Sequence, residues 1–379
     1  MKIRIEANSL AVKNISGIGY FTKRLTESLS QQKNTHLTAF SFNFLNRQQT
    51  PLLDKSVNQE VDKFFPLRIY AKLQSHRLAW PFDLFLKRTD LTIFTNYARW
   101  PSVKSQFTAT AIHDLTYIKY PDLMEKGNLA HLQRVVNRSV NSSDIILTVS
   151  EAVKIELMEH FNIESDKIIA LPVPPDEAFF IKNDTEIHKK YHIPTKKYIF
   201  FISTIEPRKN LPLLIDAYAR LPKNITDIYS LVLAGGMGWK SEESLAAIKQ
   251  AQQQGLQVVH TGYIDEQDKS ALYQQASLFV FPSIYEGFGM PILEAAASKV
   301  PIVASDIPVL REAAGEGARY FTSNDIASLT TAIEQVLLEK RLRQTLIKNA
   351  STHLATFSWQ KNAQKIIDKV NELKIIKKS

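Results

Sequence analysis

The sequence predicts an α/β protein built from two consecutive doubly wound units, each a parallel sheet flanked by helices. Three observations lead there. Apolar β-type runs alternate with amphipathic segments along the chain, the rhythm of strand–helix–strand crossovers. That rhythm breaks at LPVPP (171–175), where proline removes backbone N–H groups and fixes φ, so neither a helix nor a central strand can continue. The 379 residues are also too many for one core and about right for two domains.

In the first half, residues 2–7, 36–43, 91–94, 108–112 and 145–149 read as strands. Residues 20–32 read as a helix with Leu25 and Leu29 on one face, and 151–161 as a helix capped by Ser150. In the second half, strands at 197–202, 230–233, 258–261, 278–281 and 301–304 alternate with helices at 211–221, 242–254, 266–276 and 291–298. Pro291 is expected at the first position of the last of these. A helix at 359–373 closes the chain. The expected domains are 1–172 and 173–356, with 357–379 as a separate terminal helix.

Composition narrows the function classes. A 44% hydrophobic fraction, with 20 Phe, 13 Tyr and 4 Trp, is enough to bury two cores and excludes a disordered chain. No apolar run approaches the roughly 18–20 residues that span a bilayer. Residues 1–10 carry Lys2, Arg4 and Glu6, so no signal peptide is expected there and the cytoplasm is the expected compartment. Zero cysteines exclude disulfides, a thiolate nucleophile and Cys-ligated metal. Charge is uneven: residues 1–140 hold 20 Lys/Arg against 10 Asp/Glu, the remainder 27 against 28. A basic half beside a neutral one suits a polyanion, such as nucleic acid or an anionic leaflet, or simply a lysine-rich solvated surface.

Ligands of doubly wound sheets bind beyond the carboxyl ends of the strands, so the chemistry is sought in those loops. Ser16-Gly17-Ile18-Gly19 follows the first strand and runs into a helix. Its glycines let backbone approach a phosphate, although a lone G-x-G serves a plain turn equally well. His113-Asp114 follows the 108–112 strand; a histidine there can donate to a phosphate or a hydroxyl, or be structural. Pro207-Arg208-Lys209-Asn210 puts two cations beside a helix N-terminus, suiting a diphosphate or a solvated turn. The densest signal is PSIYEGFGMPILE (282–294), in which Glu286 opens a glycine loop and Glu294 follows eight residues later. Gly287 and Gly289 leave amides open, so one carboxylate can face a sugar while the other accepts bonds from a vicinal diol. Glu294 as a helix N-terminal acid would account for one glutamate and not for the constellation.

Residues 63–88 interleave cations with Phe64, Phe65, Tyr70, Trp80, Phe82 and Phe85. On a helix, Arg68, Lys72 and His76 share one face while Ile69 and Leu73 take another. Such a segment suits an anionic lipid surface, or packs its apolar face on the sheet as an ordinary domain helix.

The run FVFPSIYEGFGMPILEAAASKVPIVASDIPVLREAAGEGARYF resembles the donor-binding segment of the family 4 retaining glycosyltransferases of GT-B fold, whose E-x7-E signature falls on Glu286 and Glu294. SGIGYFTKRL, AIHDLTY, TVSEAVKIEL, FISTIEPRKNLPLLIDAY, LVLAGG and HTGYIDEQDKSALYQQAS match in the same order, so the resemblance covers nearly the whole chain. It implies two Rossmann-like domains facing a central cleft, with the terminal helix crossing back to the N-terminal domain. It implies that Gly17 and Gly19 close over the donor diphosphate, that Arg208 and Lys209 clamp it, and that His113 lies near the transferred sugar and acceptor. Glu286, with the amides of Phe288, Gly289 and Met290, would hold the sugar; Glu294 would bind the ribose, and Tyr263 would lie against the base.

Three positions depart from the family pattern: Ser203 and Lys299 stand where glycine is usual, and LPVPPDEAFF lacks the usual glycine after its prolines. There is no D-x-D, and no metal or other cofactor is expected. The implied function is transfer of a sugar, with a lean to mannosyl or rhamnosyl, from a nucleotide-diphosphate-sugar to a glycan or lipid-linked acceptor in bacterial surface polysaccharide synthesis. The enzyme would be cytoplasmic, with a peripheral contact at the anionic inner membrane and no nucleic-acid partner. The rivals are a nucleotide-sugar epimerase or phosphorylase of the same fold, and a basic, non-enzymatic polyanion-binding protein.

Overall fold

The computed structural model describes residues 1–12, 15–46, 53–54 and 57–377. The chain divides into two compact units: 1–119, 126–173 and 358–379 form the first, and 120–125 with 174–357 form the second.

The first unit is built on seven parallel strands: β1 Lys2–Glu6, β2 His36–Phe42, β3 Asn58–Asp62, β4 Thr89–Phe94, β5 Ser105–Ala111, β6 Ile145–Thr148 and β7 Ile168–Ala170. Their spatial order is β3-β2-β1-β4-β5-β6-β7. Ile3 pairs with Leu37 on one side and Leu91 on the other. The second unit holds six: β8 Lys197–Ile202, β9 Tyr229–Ala234, β10 Val258–Gly262, β11 Leu278–Phe281, β12 Ile302–Ser305 and β13 Ala318–Phe321, in the order β10-β9-β8-β11-β12-β13. Both sheets therefore step outward from their first strand and then reverse, which places the switch point between β1 and β4 and between β8 and β11. Central strands such as KYIFFI are buried from their second residue on because helices cover both faces.

Three strands, β3, β7 and β13, escaped the sequence reading, as did the helix Lys126–Ser142. β3 (NQEVD) is polar because it is an edge strand, and β7 (IIA) is three residues long. The helix Leu67–Ser75 is labelled α2 below, after α1 (Gly17–Ser30). The helix Lys126–Ser142 does carry the periodic signal, burying Leu132, Val135, Val136 and Val140.

Helix α1 begins at Gly17, three residues before the expected start, because Ser16 caps it: its Oγ accepts the Gly19 N–H at 3.4 Å. In α2 the faces differ from the expectation. Tyr70 and Gln74 point inward, Tyr70 into a cluster with Phe40, Phe42, Phe82, Phe94 and Trp100, while Ile69 stays exposed beside Arg68 and Lys72. A tyrosine whose hydroxyl reaches the Trp80 carbonyl at 2.7 Å fills that core better than an isoleucine on the adjoining face.

The terminal helix Trp359–Ile376 belongs to the first unit. Asn362 Nδ2 donates to the Pro172 carbonyl at 2.7 Å, Trp359 lies 6.0 Å from Phe21, and Ala363, Ile366 and Val370 are fully buried. The six residues 120–125 belong to the second unit, where Trp239 Nε1 donates to the Leu123 carbonyl at 2.6 Å and Tyr120 packs on Tyr285. Among the described residues, no helix is long and apolar enough to cross a membrane.

Candidate functional site

In the second unit, the loops after β8 and β11 meet at their strands' carboxyl ends. The backbone links them: the Ile284 N–H donates to the Arg208 carbonyl at 3.0 Å. Pro207–Lys209 forms a single 3-10 turn after β8, which turns Arg208 and Lys209 towards the β11 loop. Arg208 Nη1 donates to Glu286 Oε2 and to the Tyr285 carbonyl, both at 2.7 Å; Nη2 donates to Glu206 Oε1 at 2.7 Å. Lys209 Nζ bonds Glu286 Oε1 and sits over the Phe281 ring, 5.4 Å from its centre.

Glu286, Glu206 and Lys209 are all buried, so two carboxylates and two cations alternate in a largely dry network. Burial alone would lift the Glu286 carboxyl, but the adjoining Arg208 and Lys209 charges overcome it and hold it at about 2. The sequence reading assigned the cations to a diphosphate and Glu286 to a sugar. The structure joins them into one unit, with Glu206, which the reading did not single out, as its fourth member.

Gly289 explains why this loop can turn into a helix so abruptly. It caps the helix Met290–Ala297 at φ +103°, and a Cβ there would stand 2.8 Å from Leu310 Cδ2. Met290, not Pro291, takes the first helical position. The amides of Phe288, Gly289 and Met290 thus line a helix start, where N–H groups lack in-helix partners and favour anions. The Phe288 side chain is buried edge-on against Phe357, leaving its backbone as the part that can meet a ligand.

Glu294 lies in the second turn of that helix and is buried. Lys269 Nζ donates to its Oε1 at 2.6 Å, and Tyr273 Oη to its Oε2 at 2.8 Å. Both donors come from the helix Glu266–Gln274, and neither was picked out in the sequence, although their i, i+4 spacing places them on one face. Tyr263 follows Gly262 at the end of β10 and is 62% exposed.

The candidates of the first unit sit differently. His113 follows β5, buried between Phe21 and Tyr97, and its Nε2 bonds the Thr95 carbonyl at 2.8 Å. A carbonyl only accepts, so Nε2 carries the proton and Nδ1 is left as the acceptor of a neutral ring. Burial pulls the imidazole below its ordinary value, with Thr95 and Asp114 opposing. Glu6, the last residue of β1, is buried close by. It accepts from Asn8 N at 2.8 Å, from Asn8 Nδ2 at 2.5 Å and from Thr95 Oγ1 at 3.2 Å. Gly17 and Gly19 are in the first turn of α1, not in a loop before it. A Cβ on Gly19 would come within 3.0 Å of the Ser9 carbonyl, so this glycine serves close packing. Among the described residues, no group of three or more His, Cys, Asp or Glu side chains is placed to hold a metal.

Lys299 occupies the left-handed position after the 290–297 helix at φ +58°. Its N–H bonds Ala296 O at 3.1 Å and Val300 N–H bonds Ala295 O at 3.0 Å, the Schellman arrangement in which glycine is usual. The lysine keeps the turn that glycine would make and lies outside the network around Glu286.

The family model described as Glycosyl transferases group 1 matches residues 183–353. The O-antigen chain mannosyltransferase B of Escherichia coli is 30% identical over 254 residues, covering 66% of this chain and 66% of that protein. The serotype-specific mannosyltransferase WbdA of Escherichia coli is 31% identical over 278 residues, covering 69% of this chain and 33% of that protein. The match therefore spans just under two thirds of the first relative's length and about a third of the second's. Sucrose-phosphate synthase from Thermosynechococcus elongatus shares the fold, with a TM-score of 0.75 at 17% identity over 99% of this chain and 100% of that one.

Proposed function

Because the chain belongs to the glycosyl transferases of group 1, we propose that it transfers a mannosyl group from a nucleoside-diphosphate sugar to a glycan or lipid-linked acceptor of a bacterial surface polysaccharide, with retention at the anomeric carbon and without a metal. The observation that carries this reading is the buried Glu206–Arg208–Glu286–Lys209 network at the carboxyl ends of β8 and β11. The mannosyl lean comes from the names of the relatives.

The step breaks the bond between the anomeric carbon and the diphosphate oxygen and forms one to an acceptor hydroxyl oxygen, whose proton leaves with the phosphate. Arg208 and Lys209 stabilise the charge growing on that leaving group, a role in which fixed cations in a dry site are most effective. Glu286 and the amides of Phe288, Gly289 and Met290 hold the sugar. Glu294 holds the ribose, and the backbone at Tyr263 meets the base. In the first unit, His113 is assigned to the acceptor side, with Nδ1 ready to accept a hydroxyl proton in a hydrogen bond, and the Gly17–Gly19 turn to the phosphate.

Incubation with GDP-mannose and an α-mannoside acceptor, after a thermal-shift panel of nucleotide sugars has ranked the donors, tests the reading. An α-linked mannoside formed in the presence of a chelator is expected. A β-linked product would overturn retention, and loss of rate with chelator would overturn the metal-free step.

A lipid-linked acceptor is favoured by the surface around α2. Phe64 and Phe85 are 90% and 92% exposed, Leu78 is 71% exposed, and Ile69, Trp80 and Leu84 are also exposed. Lys63, Arg68, Lys72, Arg77, Lys87 and Arg88 are exposed along the same stretch. Apolar side chains standing in water amid cations suit an anionic bilayer surface, where each Lys or Arg contributes about 1 kcal/mol. Co-sedimentation with phosphatidylglycerol vesicles, weakening with salt and absent with phosphatidylcholine, is the expected result. No binding to the anionic vesicles at low salt would make a water-soluble acceptor the better reading.

A further inference from the structure

We propose that Lys269 is a positioning residue: together with Tyr273 it aims the Glu294 carboxylate at the ribose hydroxyls of the donor nucleotide and so sets a preference for ribonucleotides over deoxyribonucleotides. The inference rests on the reading of Glu294 as the ribose-binding carboxylate.

The geometry is specific. Lys269 and Tyr273 lie one turn apart on the helix Glu266–Gln274, and each donates to a different oxygen of Glu294. A carboxylate accepts about four hydrogen bonds, so one lone-pair direction on each oxygen remains. Two adjacent acceptor oxygens, each with one open direction, match a vicinal diol. The Glu294 side chain keeps 9% exposure, enough for that edge to meet a ligand.

The two donors hold the carboxylate by different means. Tyr273 is fully buried, edge-on to Phe200 at 5.1 Å and to Phe179 at 5.7 Å, with Phe279 at 5.2 Å. Its hydroxyl is therefore a fixed pivot. A single pivot leaves the Glu294 carboxylate free to swing about it, and the second bond removes that freedom. Lys269 supplies that bond and places its ammonium 5.4 Å from the Phe179 ring centre. Burial opposes its charge, but Glu294, Glu266 and Asp176 outweigh burial and raise its pKa, so it is an ammonium at neutral pH. A cation at this point also offsets the negative charge of Glu294 before a nucleotide that is itself anionic arrives. A tyrosine alone cannot do so.

A lysine that only neutralised a buried glutamate would affect folding and leave ribose recognition alone, and this separates the two roles. The measurement is calorimetric titration of GDP and UDP, each against its 2′-deoxy and 3′-deoxy counterparts, on the whole protein. The wild type should favour the better ribonucleotide by about tenfold or more for each hydroxyl, as expected for a hydrogen bond to a charged group. Lys269→Met should reduce that preference to about threefold or less, with deoxynucleotide affinity nearly unchanged, and Lys269→Arg should restore most of it. Tyr273→Phe, which keeps the ring packing, should give a partial loss, and melting temperatures report whether each variant is folded.

If Lys269→Met keeps the wild-type preference while Glu294→Gln loses it, the inference about Lys269 fails and the reading of Glu294 stands. Equal weakening of ribo and deoxy forms in Lys269→Met would likewise overturn it. A wild type that binds neither nucleotide, or shows no preference for the ribo form, would remove the reading of Glu294 and the inference with it.

Discussion

Each unit keeps a buried glutamate at or beyond the carboxyl end of a central strand, and the two are treated in opposite ways. Glu6, at the end of β1, is surrounded by neutral donors from Asn8 and Thr95, and burial lifts its carboxyl above the usual range. Glu286, beyond β11, is just as buried, yet Arg208 and Lys209 hold it at about 2. The sheets around them share one strand order up to the sixth strand, so the backbone frame is not the cause. The difference lies in what the neighbouring loops deliver: cations in the second unit, amides and hydroxyls in the first. His113 follows the same rule, held neutral against a carbonyl. The second unit thus surrounds its glutamate with charge. The first surrounds its own with neutral donors.

The sharpest way to break this contrast is Glu286→Ala. It strands the buried Lys209 and leaves the half-buried Arg208 with Glu206, and breaking a buried pair from one side costs about 3–5 kcal/mol. Transfer should be lost and the melting temperature should fall; a variant that melts like the wild type would mean the network is not a dry assembly whose members depend on one another.

Lys209→Met probes the other partner. If leaving-group charge grows at this point, kcat/KM should fall by about 10²–10³-fold. A wild-type rate would take Lys209 out of the step.

Acid titration sets the two glutamates directly against each other. The folded pKa of Glu286 is depressed from 4.5, so its contribution is present above pH 4.5 and is lost as the pH falls towards 2. Wild type should therefore exceed Glu286→Gln in stability at pH 6, with the gap closing between pH 4.5 and 2. Glu6 is raised, so its ionised form weighs against folding, and wild type should gain on Glu6→Gln as the pH falls towards 4.5. Urea unfolding across that range reads both. Gaps of the same sign would remove the contrast.

The smallest effect is expected at Lys299, where a side chain endures φ +58°. Lys299→Gly should raise stability by about 1 kcal/mol without changing transfer, since a glycine relieves the left-handed strain. A loss of activity there would tie the turn to donor binding.

Much of this arrangement could be read along the chain. The alternation of apolar runs and amphipathic segments yielded ten strands and the division near the prolines at 172–175, because burial on both sheet faces forces continuous apolar sequence. The edge strands β3, β7 and β13 escaped for the complementary reason: paired on one side only, they need no such run. The motifs bearing Arg208, Lys209, Glu286 and Glu294 were legible because each is a short run that follows a strand, whose spacing survives in one dimension.

What joins those motifs is not local. Glu206 reaches Arg208 from two residues away, but Glu286 comes from 78 residues on, and Glu294 meets Lys269 across 25. Sequence by itself determined which side chains carry charge and which strand each follows, since those depend on residue type and periodicity. Only the tertiary structure decided which charges meet. A carboxylate's ionisation, and so its chemistry, depends on the cations within a few ångströms, and that distance is a property of the folded sheet alone.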